Sequence, residues 1–564
     1  MAGVHRLGRR RSDSGSTGGR SMTTVRNQRL TGRLELTWTN KDQRLLSHSE
    51  DTYEWTTPDD HRVSEVRLLH SVDTVGATRT SRERAKDNLL IQGDALHALT
   101  ALTDIPEFAA EYRGKVKLVY IDPPFNTGQM FEQYNDAVEH SIWLTQMRDR
   151  LTQIKQLLAP EGSVWLHCDD YEQHRVRLVL DEVFGADKFV ATILWQKRYS
   201  RDNRPAIGAV HDFIHVYAPS GGAWKNHRNR LAREGAKEYR NPNDDPRGAW
   251  RAVPMTAQGF RPNQMYEITT PSGAVHVPPK GRCWSVIRER YEERLAAGRI
   301  YFGKNGSSQP NLIRYLDEDQ GLVPWTWWPH DEVGHNDEGK KEMLTLFKER
   351  EAFATPKPER LMRRVIEIAT APGDIVLDCF AGSGTTAAVA HKMGRRWVTA
   401  ELNATTVENF VMPRLSLVVA GKDDGGVTTA VGWPGGEGFR RLVVAQSMFE
   451  TDDDGSLLLA EWVTNGKFAE AVAAQLGYEQ LGPDCRPFSG SKGRMRLAVI
   501  DGVVGEAEVD FLVASLEQGQ RLLLVAKAAT EEAAGHLRAV SPGSRLRQAP
   551  RDLLRARAHG RTAR

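Results

Sequence analysis

Apolar residues in this chain gather in short, nearly unbroken runs, separated by stretches in which they recur every three or four positions. Leu118–Ile121, Ser163–His167, Phe189–Trp195, Phe213–Tyr217, Ile375–Leu377 and Trp397–Ala400 are runs of the first kind. They have the length and β-branched or aromatic content of strands buried on both faces. Ser141–Leu158 is of the second kind, with Trp143, Met147, Leu151, Ile154 and Leu158 on one helical face. Asn88–Leu99 predicts a short strand, a Gly93-Asp94 turn and a helix start. Strands alternating with helices predict an α/β protein with a doubly wound, mostly parallel sheet.

The pattern breaks twice. Between residues 200 and 346 Gly, Pro, Asn and Arg interrupt it, and tryptophans recur at 224, 250, 284, 325, 327 and 328. This texture predicts a domain inserted into the sheet, dividing it into a first half over 31–199 and a second half over 347–425. After a Gly-rich connector, 426–544 reads as a small C-terminal α/β region. Residues 1–30, rich in Arg, Ser and Gly, are expected to be a disordered tail, and 545–564 a basic, frayed one. Arg9-Arg10-Arg11 is not followed by an apolar stretch, so a secretion signal is not expected.

At 564 residues two or three domains are expected. No apolar run approaches membrane-spanning length, so no membrane partner is expected. The net charge is only +3, so a nucleic-acid contact requires local basic surfaces. Cys168, Cys283, Cys379 and Cys485 form no Cys-x-x-Cys pair, which argues against zinc or a disulfide framework and suits a reducing cytoplasm. No cysteine follows a proline, so covalent attack through a Pro-Cys sulfur is not expected.

Two strands end in chemistry. The first runs into Asp122-Pro123-Pro124-Phe125. Proline disfavours helical geometry in the residue before it and stiffens the exit from the strand, so a carboxylate and a backbone carbonyl stay in fixed positions. An exocyclic amine needs such acceptors to hold its hydrogens while its lone pair faces a methyl donor, and Phe125 can stack on the base that carries it. The second strand ends at Asp378, with Gly382-Ser383-Gly384 making a turn and Thr385 opening a helix. Glycines there let a cofactor pack against the main chain. Glu401, ending a further strand, can accept from both ribose hydroxyls. Taken alone, the glycine turn also fits a nicotinamide site or a purely structural turn; an ATP-binding P-loop is excluded by the missing Gly-Lys-Ser/Thr.

With both motifs in this order, the chain resembles the β-group of amino DNA methyltransferases. It is most similar to the modification (Mod) subunits of type III restriction–modification systems. The likeness rests on Asn88–Leu99, Gly114–Gly128, His140–Leu151, Asp181–Trp195, Asn241–Trp250, His335–Gly339 and Phe353–Thr386. It implies the S-adenosylmethionine-dependent methyltransferase fold and S-adenosyl-L-methionine as cofactor. Asp122, Pro123, Pro124 and Phe125 would hold the target amine and base. Asp378, Phe380, Gly382, Ser383, Gly384, Thr385 and Glu401 would line the cofactor site. Phe353, Thr355, Pro356 and Lys357 would wrap its methionine end, with Asp94 near it. No metal is implied.

The resemblance favours adenine N6 as target, with cytosine N4 or RNA as alternatives, along with a non-catalytic DNA-binding subunit that keeps the fold. The insertion would be the target-recognition domain, offering Lys197, Arg198, Arg201, Arg204, Arg228 and Arg230 for phosphate contacts. The implied partners are double-stranded DNA with a flipped base, a second copy of the chain and a restriction subunit. Asp331 with Glu338-Gly339-Lys340 superficially resembles a nuclease site, but it lacks a strand to carry it.

Overall fold

The computed structural model describes residues 35–49, 52–125, 129–131, 134–136, 139–201, 206–232, 238–347 and 353–554. The expected N-terminal tail, Arg204 and the last ten residues lie outside them. A ten-stranded sheet organises the rest. In chain order its strands are β1 Leu69–Gly76, β2 Asn88–Gln92, β3 Val116–Ile121, β4 Leu158–Cys168, β5 Phe189–Gln196, β6 His211–Tyr217, β7 Trp327–Trp328, β8 Ile375–Asp378, β9 Arg396–Glu401 and β10 Gly438–Val444. Across the sheet they lie in the order β7-β5-β6-β4-β3-β8-β9-β2-β10-β1. Pairing is parallel from β4 through β10, and antiparallel where β6 meets β4 and β5 and where β1 meets β10.

Alternate residues of each central strand enter opposite layers. In β3, Val119 and Ile121 belong to one core and Leu118 and Tyr120 to the other; in β8, Leu377 and Val376 divide the same way. Helices α1 Ala95–Asp104, α2 His140–Leu157 and α3 Gln173–Phe184 cover the first face. Helices α4 Asn336–Leu346, α5 Glu359–Ala369, α6 Thr385–Lys392 and α7 Met412–Val419 follow later in the chain, and α5, α6 and α7 cover the second face. This is the doubly wound arrangement expected from the runs. The chain leaves β3 toward β4 and leaves β8 toward β9 in the opposite direction, so the crevice between β3 and β8 is the sheet's switch point.

Three boundaries differ from expectation. β6 lies inside the sheet although the insertion was placed from 200. It is held between β4 and β5, and its Ile214 and Val216 are buried in the core. β10 pairs with β2 and β1, so the sheet extends past residue 425. Arg545–Gln548 is the edge strand of a five-stranded C-terminal sheet, paired with Arg521–Ala529, where a frayed tail was expected. A short strand with alternating or charged residues finds its place through its neighbours, which a local pattern does not reveal. Within the insertion, Met255, Ile268, Trp284 and Tyr291 build a separate small core, whereas Trp224 and Trp328 belong to the main one.

Behind the glycine turn sits a buried ionic knot. Glu359, at the start of α5, accepts from Lys392 Nζ (2.8 Å), Arg414 Nη2 (2.8 Å) and the Val427 amide (2.9 Å). Lys392 also meets Asp423 at 2.6 Å, and Arg414 donates to Thr385 Oγ1 at 2.8 Å. Burial opposes ionisation of Glu359, but Arg414 and Lys392 outweigh it and hold its carboxyl below the usual range. Removing one member strands the others, so Glu359→Ala is expected to lower stability by about 3–5 kcal/mol. Urea unfolding followed by tryptophan fluorescence measures this; an unchanged midpoint would show that the knot is not structural.

Candidate active site

Asp122 leaves the carboxyl end of β3 beside the carboxyl end of β8, where Leu377 stands opposite Val119. Its Oδ2 is paired with Lys357 Nζ, which approaches from the segment before α5. Its Oδ1 is buried and has no hydrogen-bond partner among the described residues. A buried acceptor left open costs free energy, so it is poised for a donor supplied by a ligand. The loop that carries it is pinned from α2, where Trp143 Nε1 donates to the Pro124 carbonyl at 2.7 Å. The Phe125 ring faces His167 at 5.5 Å between centroids, with Lys357 Nζ 5.2 Å from its own centroid.

The second half of the site is a cradle. Gly382 and Gly384 have φ of +51° and +75°, a backbone that side chains rarely adopt. Glu401 ties the turn to β9, accepting from the Gly382 amide at 2.9 Å and the Asn403 amide at 3.0 Å. Asp378 accepts from the Phe380 amide at 3.0 Å. Phe353 packs edge-on to Phe410 at 5.5 Å and lies against Gly382, so its ring borders the turn. Pro356 and Lys357 are buried, and the chain there passes so close to Gly339 of α4 that a Cβ would collide with the Pro356 carbonyl.

Charge in the cradle is one-sided. Burial pushes the Asp378 carboxyl up to about 8, with the Asp122 and Glu401 charges adding to it. Burial also raises Glu401, although the Asn403 and Gly382 amides pull the other way. These acids fit a cationic ligand such as the sulfonium and ammonium of S-adenosylmethionine.

Other expected site residues divide into those the structure brings to this edge and those it does not. Ser383 and Thr385 are buried and bonded to each other at 3.0 Å, so they hold the turn. Thr355 is half-buried beside Pro356. Asp94 caps α1 through the Leu96 amide and is gripped by Arg150 Nη2 at 3.1 and 3.0 Å, so its carboxylate is already engaged. Arg198 and Arg201 are exposed just past the carboxyl end of β5, on the same edge as Asp122. Lys197, expected on DNA, is instead paired with buried Asp212 at 2.5 Å.

Arg228 and Arg230 fall at the opposite end of the sheet. Asn229 between them bonds to Ile368, Glu367 and Thr370 carbonyls, which precede β8. There they line an open cavity of about 650 Å³ with Arg395. The nuclease-like acid Glu338 is bound by Arg360 at 2.7 Å through both of its oxygens. Arg150, His167 and Asp212 were not singled out in the sequence, and Trp143 was read there only as part of a helical face. A histidine ending an apolar run was the one available signal.

Comparison with known proteins now adds a family. The model of the N6/N4 DNA methylase family matches residues 116–412, more than half of the chain, and the chain belongs to that family. It is 34% identical over 334 residues to the Mod subunit of the StyLTI type III restriction-modification enzyme of Salmonella typhimurium, covering 53% of this chain and 49% of that one. It is 42% identical over 321 residues to the DNA adenine methyltransferase YhdJ of Escherichia coli, covering 57% and 80%. The chain spans about half the length of the Mod subunits it matches.

The Asp378 carboxyl is raised above its unfolded value, so it is largely protonated below about pH 8 and ionised above. A cationic amine analogue of S-adenosylmethionine favours the ionised form. Its affinity is therefore expected to climb up to about tenfold per pH unit between roughly pH 6.5 and pH 8, then level off. Calorimetric titration across that range, with Asp378→Asn flattening the slope, checks this.

Proposed function

We propose that this chain transfers a methyl group from S-adenosylmethionine to the N6 amine of adenine in double-stranded DNA, as the modification subunit of a type III-like restriction–modification system. One observation carries the reading: a buried carboxylate oxygen, unpartnered among the described residues, at the switch point of the sheet, next to an acidic glycine-turn cradle. The likeness to a DNA adenine methyltransferase supports the adenine target, and the likeness to a type III Mod subunit supports the proposed system.

Asp122 Oδ1 accepts an amine hydrogen and so fixes the direction of the nitrogen lone pair. Phe125 stacks on the base after it has left the duplex, a step that costs a few kcal/mol. S-adenosylmethionine supplies an activated methyl with a good leaving group. What remains for the protein is positioning and stabilisation of the positive charge that develops on nitrogen. Arg198 and Arg201 flank the same edge and supply phosphate contacts. Two copies of the chain and a restriction subunit complete the proposed assembly.

Expression in a methylation-deficient bacterial host, followed by modified-base sequencing, is expected to show N6-methyladenine in one short motif and on one strand. Asp122→Ala is expected to reduce transfer by about 100-fold or more while the affinity for the donor stays within about threefold. Methylation retained by the variant would remove Asp122 from this role. A methylated cytosine would reassign the target.

A further inference from the structure

Behind Asp122 the sheet buries a chain of polar groups that neither the amine nor the donor needs for binding. His167, near the end of β4, is wholly buried. Its Nδ1 lies 2.7 Å from the Tyr120 hydroxyl and 3.9 Å from Asp122 Oδ1, the open acceptor. Its Nε2 lies 3.2 Å from Asp212 Oδ2 on β6, and the other oxygen of Asp212 accepts from Lys197 at 2.5 Å. Trp195 stands edge-on to the imidazole at 5.3 Å, and the Phe125 ring lies tilted beside it at 5.5 Å. The surrounding residues of this layer, Leu118, Trp165, Ile214 and Val216, are apolar. A buried ionic group in such a layer costs stability relative to apolar packing, so its presence calls for another explanation.

We propose that His167 and Asp212 form a buried proton acceptor that receives, through Asp122, the proton released when the target amine is methylated. The proposal rests on the methyl-transfer reading above. In that reaction the amine lone pair forms the N–C bond while the C–S pair returns to sulfur, leaving a neutral thioether and a cationic substituted amine. The amine regains neutrality by giving one proton to Asp122 Oδ1. Asp122 becomes an anion again by passing it to His167 Nδ1, once the Tyr120 hydroxyl turns away. The imidazolium then lies between two carboxylates, Asp122 and Asp212.

The surrounding charges support this direction of flow. Burial, followed by the Lys357 ammonium, keeps the imidazole below its ordinary range, so a neutral Nδ1 lone pair is available before the reaction. Burial opposes ionisation of Asp212, but His167 and Lys197 outweigh it and hold the carboxyl below the usual range. Asp212 is thus anionic and able to take the Nε2 hydrogen. Asp122, Tyr120, Asp212, Lys197 and Lys357 are the polar groups that face this imidazole from β3, β6, the end of β5 and the segment before α5. The 3.9 Å gap to Asp122 is longer than a hydrogen bond. Catalytic contacts of this kind commonly tighten only when substrate is bound.

His167 acts here through Asp122, as a positioning and proton-accepting residue, and the test has to separate that from packing. Single-turnover methyl transfer would be measured on the full chain with unmethylated duplex DNA carrying its recognition motif, from about pH 6 to pH 9. The parent, His167→Gln and Asp212→Asn would be compared, with donor and DNA affinities titrated separately. His167→Gln is expected to slow transfer about tenfold or more near neutral pH, with the deficit shrinking as hydroxide takes over the proton. Affinities are expected to stay within about threefold, and Asp212→Asn to show the same trend with a smaller deficit. If His167→Gln does not fold, Asp212→Asn decides alone.

An active parent with parent-like variant rates, or a deficit equal at every pH, would overturn the relay and leave the methyl-transfer reading standing. A parent that methylates no DNA would overturn that reading and the relay with it.

Discussion

The parallel pairing of Val116–Ile121 with Ile375–Asp378 is the constraint on which the rest of this molecule depends. The two strands are more than 230 residues apart in the chain, and their pairing sets Asp122 and Asp378 at one edge of one crevice. Closing a loop of that length costs entropy only logarithmically, so a large insertion between the halves is tolerated as long as its ends return to the same sheet. They do return: β6 and β7 stitch both sides of the insertion to β5. The Lys357–Asp122 pair then ties the second half to the first across 235 residues. Without the strand pairing neither the acceptor nor the cradle exists as a site.

Much of this was legible because the central strands are buried on both faces. Val116–Ile121 and Ile375–Asp378 read as strands directly, since two apolar layers demand unbroken apolar runs. Their terminal acids sit where the runs stop, so the chemistry could be placed at the sheet edge before its three-dimensional form was known. α2 was equally plain, from Trp143 through Ile154 on one face. The edges of the sheet were harder. Gly438–Val444 carries Arg440 and Arg441 among its apolar residues, and β2 and β1 on either side give it its place. Arg545–Gln548 alternates basic with other residues, and only its neighbour makes it a strand.

The basic residues show the opposite limit. Lys197, Arg198, Arg201, Arg228 and Arg230 look alike as a charge cluster. In space they separate into the half-buried partner of Asp212, two exposed cations on the edge that holds Asp122 and two on the far edge. Charge type says nothing about which end of a sheet a loop occupies. The decisive contact is the hydrogen bonding of Asn229 to the carbonyls at the carboxyl end of α5, which is invisible in sequence. His167 was hidden for a related reason: within Ser-Val-Trp-Leu-His a histidine reads as one more core residue. Its partners Tyr120 and Asp212 come from two other strands.

Two of the buried ionic groups among the described residues differ in a way that indicates which is structural. Around Glu359 the charges pair with one another: two cations, two anions and two backbone or hydroxyl partners. Such a knot, packed behind the glycine turn through Arg414 and Thr385, fixes the geometry of that turn. Around His167 the network is left incomplete at its substrate end, because Asp122 Oδ1 has no partner among the described residues while its other oxygen is held by Lys357. Folding alone would favour satisfying that oxygen. A site that must accept hydrogens from a ligand has to keep it open, and the ion pair with Lys357 is what makes an open, buried carboxylate tolerable there.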